Sequence, residues 1–264
     1  MDAPVLVPER HGTVLSLTLN RPAKLNAFDQ ALTDALIAAL DAAAQDKSVR
    51  ALVLRGAGRS FSVGQDLEAF VQMQTENNHV SVAEHLRRGY NRLTLTLRDM
   101  EKPVIASLGG ITAGFGLSLA LACDIRIASD DATFTLGFSK IGLIPDGGGS
   151  LLLPLFAGLG RALELAWTSD RIDAAEAHRI GLVNRIVAAE QIEAHSLAFA
   201  ARLAEASPVA LAATKRAFNR ALLPHLAQWL EAEAQLQQEA SESPDLREGM
   251  QAFFEKRPAV FASR

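Results

Sequence analysis

Apolar residues along the first two thirds of the chain recur every second position, then every third or fourth, and the changes of period outline the elements. Val14-Leu15-Ser16-Leu17-Thr18-Leu19 alternates and stops at Asn20-Arg21-Pro22, the pattern of a strand leaving into a loop. Over 29–45, Leu32, Leu36, Ile37 and Leu40 fall on one helical face, with Asp29 as the N-cap. Ala51-Leu52-Val53-Leu54, Val104-Ile105-Ala106-Ser107-Leu108 and Ile125-Arg126-Ile127-Ala128 read as buried strands, and 132–136 as a further one. Between them, 80–100 carries a helical period, and Leu117-Ser118-Leu119-Ala120-Leu121-Ala122-Cys123-Asp124 continues an apolar helix. Strands alternating with helices predict parallel βαβ units, hence an α/β fold. After Val187 only helices are predicted, over 191–206, 208–220, 225–241 and 245–256, with Pro208 and Pro244 at helix starts. The change of pattern divides the chain into a core over 1–190 and a C-terminal helical region over 191–264. A length of 264 residues is near the upper end of what one hydrophobic core supports, so the second part reads as an appendage rather than an equal domain.

Composition narrows the class. With 49% hydrophobic and 21% charged residues the chain is globular rather than disordered. A net charge of −4 argues against nucleic acid as the main partner, since such proteins carry a basic surplus. The single cysteine, Cys123, has no internal partner and sits in an apolar helix, so it reads as core filler in a reducing, cytoplasmic compartment. Met1-Asp2-Ala3-Pro4-Val5 shows no basic stretch leading into an apolar one, so no signal peptide is expected. No apolar run approaches the ~20 residues that cross a membrane, so no membrane partner is expected.

Several chemistries fall on spacing. The six histidines show no zinc spacing with one another or with Cys123, so no metal is expected. There is no G-x-S-x-G elbow, and neither Gly56-x-Gly58 nor Gly114-x-Gly116 has the third glycine of a dinucleotide fingerprint. Gly147-Gly148-Gly149 lacks the Lys-Ser/Thr ending of a phosphate loop and reads as the glycine lead into a helix starting near Ser150.

Two glycine-centred segments remain, Arg59-Ser60-Phe61-Ser62-Val63-Gly64-Gln65-Asp66-Leu67 and Gly109-Gly110-Ile111-Thr112-Ala113-Gly114-Phe115-Gly116. The first ends a β-rich run and the second opens an apolar helix. A helix start leaves N–H groups unsatisfied at the positive end of its dipole, and two such donors aimed at one oxygen form an oxyanion hole. Either segment alone also fits an ordinary glycine turn. A carboxylate accompanies them: Asp146 lies between apolar residues and flexible backbone in Leu143-Ile144-Pro145-Asp146-Gly147-Gly148. Such surroundings desolvate a carboxyl and raise its proton affinity, which suits a proton carrier; the same spacing suits an N-cap for the following helix. Asp66 and Asp124 read as structural acids.

The chain resembles the crotonase, or enoyl-CoA hydratase/isomerase, superfamily over nearly its whole length. The resemblance is carried by Asn20-Arg21-Pro22-Ala23-Lys24-Leu25-Asn26-Ala27-Phe28, Phe61-Ser62-Val63-Gly64-Gln65-Asp66-Leu67, Lys102-Pro103-Val104-Ile105-Ala106 and the stretches 113–124 and 142–149. Asp170-Arg171-Ile172, Gly181-Leu182-Val183 and Glu248-Gly249-Met250-Gln251-Ala252-Phe253-Phe254-Glu255-Lys256-Arg257 complete it. The order and spacing of these motifs are more specific than any one of them. The resemblance implies a spiral of ββα units followed by a helical trimerisation region, assembled as a trimer or a dimer of trimers. It implies an acyl-coenzyme A substrate and no separate cofactor. The thioester oxygen would be held by the N–H groups of Gln65 and Phe115, where Phe115 replaces the usual glycine and narrows the acyl pocket. Lys24, Ala27, Ser62, Val63, Gln65, Asp66 and Leu67 would hold the nucleotide and pantetheine, and Phe253 and Lys256 of a neighbouring subunit would close over the adenosine phosphate.

Hydratases of this superfamily activate water with two glutamates, and these positions fall here at Ser118 and Ser139. The placement of Asp146, and the Gly64-Gln65-Asp66-Leu67 loop, resemble ring-1,2-epoxyphenylacetyl-CoA isomerases; Asp146 also matches some β,γ to α,β enoyl-CoA isomerases. The same aspartate position is the nucleophile of 4-chlorobenzoyl-CoA dehalogenase, but that enzyme's histidine and tryptophan are replaced here by Asn91 and Phe138. The expectation is therefore an acyl-CoA isomerase acting through a thioester enolate, with Asp146 as proton carrier. The alternatives are an enoyl-CoA hydratase and a non-catalytic acyl-CoA-binding protein.

Overall fold

The computed structural model describes residues 3–76 and 81–261. Its strands are β1 (Leu6–His11), β2 (Val14–Leu19), β3 (Ala51–Gly56), β4 (Ser60–Ser62), β5 (Val104–Leu108), β6 (Ile111–Ala113), β7 (Ile125–Ser129), β8 (Thr133–Thr135), β9 (Ile172–Asp173) and β10 (Arg185–Val187). They form two sheets, one ordered β1-β2-β3-β5-β7-β10 and the other β4-β6-β8-β9. Apart from the β1–β2 hairpin and the β8–β9 pair, every pairing is parallel. Parallel neighbours need a crossover connection. The β2–β3 crossover runs through α1 alone, whereas each later crossover deposits a strand in the second sheet before a helix returns the chain to the first.

The helices are α1 (Gln30–Gln45), α2 (Leu67–Glu76), α3 (Val82–Arg88), α4 (Tyr90–Asp99), α5 (Phe115–Ala122), α6 (Gly149–Ala157), α7 (Leu159–Thr168), α8 (Ala174–Arg179), α9 (Ile192–Glu205), α10 (Pro208–Leu222), α11 (Leu226–Ser241) and α12 (Pro244–Glu255). The repeating ββα unit is thus β3–β4 with α2 to α4, β5–β6 with α5, and β7–β8 with α6. Asp29 caps α1 as predicted, its side chain accepting from the Leu32 N–H at 2.8 Å. The helix predicted over 80–100 is two helices, because Gly89 leaves helical geometry at φ −106° and ψ −87°. Val80, the predicted start, lies outside the described residues. The strand predicted over 132–136 pairs only at Thr133–Thr135, and α7 and α8 were not anticipated.

The core explains why the central strands read as unbroken apolar runs. One face of the large sheet packs into the main cluster with Phe28, Leu32, Phe61, Leu93 and Phe115. On the other face Val14, Ala51, Val53, Ile105 and Ile127 meet Ala200 and Ala204 of α9. A strand buried on both faces loses the polar alternation of a half-buried one. Within the C-terminal region, α11 packs on α3 and α4, and α12 on a 3-10 turn at Phe138–Ile141. These contacts bring the end of the chain up to the loop that carries Asp146.

Candidate active site

The two glycine segments meet. Gly64 has φ +87°, and a Cβ placed on it would lie 2.8 Å from the Phe115 nitrogen, so only glycine lets these backbones approach. A bridge between Phe28 and Gln65 fixes the first segment: Phe28 N donates to Gly64 O at 2.7 Å, and Asp66 N to Phe28 O at 2.9 Å. These bonds use the groups on either side of the Gln65 N–H and leave it without a backbone acceptor among the described residues. Phe115 is the first residue of α5, and its N–H likewise has no backbone acceptor. Two neighbouring free donors, one of them at a helix N-terminus, can hold one anionic oxygen.

Side chains lock the Gln65 end of this pair. The Gln65 amide donates through Nε2 to Phe28 O and Asp66 O, both at 3.2 Å. Its Oε1 accepts from the Tyr90 hydroxyl and from His85 Nε2 at 3.0 Å. His85 therefore carries its proton on Nε2, and burial lowers its pKa, which keeps the ring neutral. The Tyr90 and Phe115 rings stack with centroids 3.5 Å apart and planes 6° from parallel, and Phe28 stands edge-on to both. The result is an aromatic wall beside the donor pair.

Asp146 faces the same wall. A Cβ on its neighbour Gly147 would lie 2.6 Å from the Phe115 ring, so the 146–147 backbone runs directly against that side chain. Thr94 Oγ1 donates to Gly147 O at 2.7 Å. Gln237 on α11 grips the loop from the other side, exchanging bonds of 2.9 Å with Ile144 N and O and donating to Asp146 Oδ2 at 3.1 Å. Asp146 Oδ1 is buried and has no hydrogen-bond partner among the described residues. Burial, with the nearby Glu233 carboxylate adding to it, pushes the Asp146 pKa up to about 8. The N-cap alternative for Asp146 fails, because Gly148 is the cap residue of α6 and Glu233 takes the donors there. Glu233 accepts from Gly148 N at 2.7 Å, from Ser150 N at 3.1 Å and from the Ser150 hydroxyl.

A family model described as enoyl-CoA hydratase/isomerase matches residues 9–264. The chain belongs to that family. A probable enoyl-CoA hydratase of Rhodobacter capsulatus is 41% identical over 94% of both chains. The 1,2-epoxyphenylacetyl-CoA isomerase of Escherichia coli is 38% identical over 95% of both. The fold is that of the crotonases: the crystal structure of an enoyl-CoA hydratase from Mycobacterium avium subsp. paratuberculosis is similar with a TM-score of 0.86 and 36% identity, covering 98% of this chain and 99% of that one.

For an enoyl-CoA hydratase/isomerase, the two serines stand differently. Ser118 on α5 is fully buried and its hydroxyl has no partner among the described residues; it lies against the 147–149 backbone, beside Asp146. Ser139 is not brought to the site. The 3-10 turn opens and closes on Gly137 and Gly142, both with positive φ, and this turns the Ser139 hydroxyl to Trp167 O at 3.0 Å and Ser169 Oγ at 2.8 Å. Phe138 is the residue of that turn buried in the core, and Asn91 is buried as well, donating to Leu230 O at 3.0 Å.

The residues expected to hold coenzyme A divide into two groups. Segment 24–28 runs beside 62–66, joined by Val63 N to Leu25 O at 3.2 Å and Ser62 Oγ to Asn26 O at 2.8 Å, so Lys24, Val63, Gln65 and Leu67 reach the surface of one patch while Ala27, Ser62 and Asp66 are buried beneath it. Lys24 is exposed and paired with Glu68 at 2.5 Å. Asp66 is committed to structure, with Arg21 at 3.0 Å and the Ala69 N–H at 3.2 Å. Phe253 and Lys256 are exposed on and just after α12, and among the described residues no hydrogen bond joins them to that surface. Asp124 is structural too, held by Arg98 at 3.1 Å and Lys215 at 2.8 Å. Burial drives the Cys123 thiol up to about 12, consistent with core filler. The described residues hold no cluster of metal-ligating side chains, and no single described helix is long and apolar enough to cross a membrane.

Sequence reasoning missed Glu233, Gln237 and Tyr90. The signal was present for the first two: Leu226, Leu230, Glu233, Ala234 and Gln237 share the buried face of α11, and a carboxylate with an amide on an apolar helical face needs partners.

Proposed function

We propose that this chain is an acyl-CoA isomerase in which Gln65 and Phe115 hold the thioester oxygen and Asp146 carries the proton. The observation that carries this reading is the Asp146 carboxyl itself: buried, with one oxygen free, on a loop whose next residue, Gly147, runs against the Phe115 ring, while the nearby α5 position holds only Ser118. A thioester oxygen accepting from both N–H groups stabilises an enolate, each donor of this kind being worth ~2.7–4 kcal/mol. The ionised Asp146 takes a proton from the carbon next to the carbonyl, and the C–H electron pair moves into the enolate. The same proton returns to a carbon further along the conjugated system, so no atom is gained or lost. With serine at both glutamate positions and Ser139 turned away, the pair of carboxylates that would activate water is missing, which disfavours hydration.

The Escherichia coli relative named 1,2-epoxyphenylacetyl-CoA isomerase supports an epoxide or ring-bearing acyl group, since the flat Tyr90–Phe115 wall suits a planar substituent. The Rhodobacter capsulatus relative named as a probable hydratase supports the competing reaction. In this reading coenzyme A enters as part of the substrate rather than as a resident cofactor, and the protein works in the cytoplasm as a trimer-based assembly. There Phe253 and Lys256 reach a neighbour's nucleotide.

Initial rates on matched 3-enoyl-, 2-enoyl- and epoxyphenylacetyl-CoA esters test this. Rearrangement of the first or third is expected to outrun hydration of crotonyl-CoA by a wide margin. In D146N, turnover is expected to fall at least about 100-fold with acyl-CoA binding retained. Rapid hydration by the unmodified protein overturns the isomerase assignment.

A further inference from the structure

Glu233 and Gln237 lie four residues apart on α11, so they share one helical face, and that face lies under the 144–150 loop. Both Glu233 oxygens are in use: Oε1 accepts from Gly148 N, and Oε2 from Ser150 N and the Ser150 hydroxyl. Three donors at the N-terminus of the nine-residue α6 favour the carboxylate form of Glu233, while burial, the larger influence, raises its pKa. With its oxygens committed, Glu233 is not placed to abstract a proton from substrate. It acts instead on its neighbour. Two carboxyls close together in a dry site do not readily ionise together, so a fixed charge on Glu233 favours the protonated form of Asp146. Gln237 works the other way, because its Nε2–H donates to Asp146 Oδ2 and favours the carboxylate. Among the described residues the Tyr90 phenol from α4 also interacts with Asp146, and burial keeps it neutral. Among the described residues no cationic side chain pairs with Asp146.

We propose that Glu233 is a positioning residue of the reaction: its carboxylate, held by the start of α6, fixes the glycine loop and sets the pH at which Asp146 passes from proton donor to proton acceptor, with Gln237 opposing it. This rests on Asp146 being the proton carrier. The helical region that closes the chain thus contributes to the chemistry of the first 190 residues.

The test uses E233Q and Q237M in the full chain, with two readouts. The first is infrared titration of the Asp146 carboxyl, identified by its absence in D146N. The second is the pH profile of kcat/KM. E233Q is expected to move the Asp146 midpoint down by about one pH unit or more. Q237M is expected to move it up. An unmoved midpoint in folded E233Q overturns the proposal. Failure of both neutral variants, E233Q and E233M, to fold also overturns it, since Glu233 would then be a determinant of folding. A midpoint that moves while the rate profile stays put leaves the coupling standing and removes Asp146 from the proton transfer.

Discussion

At the scale of single residues, the site depends on how far burial changes one carboxyl. An aspartate in water ionises near 3.8, whereas Asp146 does so at about 8, chiefly because it is desolvated. If the ionised form starts the reaction, kcat/KM rises with pH and levels off above about 8. A pH–rate profile flat between about 6 and about 9 would show that another group sets the rate. The same displacement acts on stability. Between about 4 and about 8 the folded protein keeps a proton that the unfolded chain has released, so stability falls as pH rises across that window. D146N removes this ionisation. Its melting temperature is therefore expected to exceed that of the wild type by several degrees at pH near 8 and to converge with it as pH falls towards 4. Scanning calorimetry at the two ends measures this, and a constant offset would mean that the Asp146 pKa is the same in the folded and unfolded chain.

At the scale of elements, the free N–H groups of Gln65 and Phe115 lie together because a strand-to-loop segment and a helix start come within van der Waals contact at Gly64 and Phe115. G64A puts a methyl group against the Phe115 nitrogen at a positive φ. Its turnover is expected to drop about 100-fold or more, the cost of losing one donor, while circular dichroism keeps the α/β signature. Normal turnover in G64A would show that the Phe115 N–H is not a donor to substrate. The local rules that made these elements legible are ordinary ones. Asp29 caps α1, Pro208 and Pro244 start α10 and α12, and the apolar runs at 51–54 and 104–108 are central strands. The break at Gly89 was less legible, because α3 and α4 both continue the apolar period and only the backbone angle of one glycine separates them.

At the scale of the whole molecule, Val209, Phe218, Leu222, Trp229, Leu236 and Phe253 are exposed on α10 to α12. A soluble monomer rarely leaves so much large apolar surface uncovered, so this region is expected to bury against further copies of the chain. Light scattering should report a trimer or a multiple of one, and an active, stable monomer would contradict it. The hydrophobic pattern determined by itself the α/β alternation and the helical close of the chain, because each depends on neighbours in sequence; that the two glycine segments meet was an expectation which the structure bears out at Gly64 and Phe115. Only the tertiary structure removed the helix-cap reading of Asp146. Spacing served a helix cap and a proton carrier equally well, but Glu233, far along the chain on α11, takes the donors of α6 and leaves the aspartate buried without that role. The same holds for Ser139, which a one-residue step in a 3-10 turn directs away from the site while Phe138 points into the core. Proton affinity and side-chain direction depend on what packs around a group, and those neighbours come from parts of the chain that no local pattern connects.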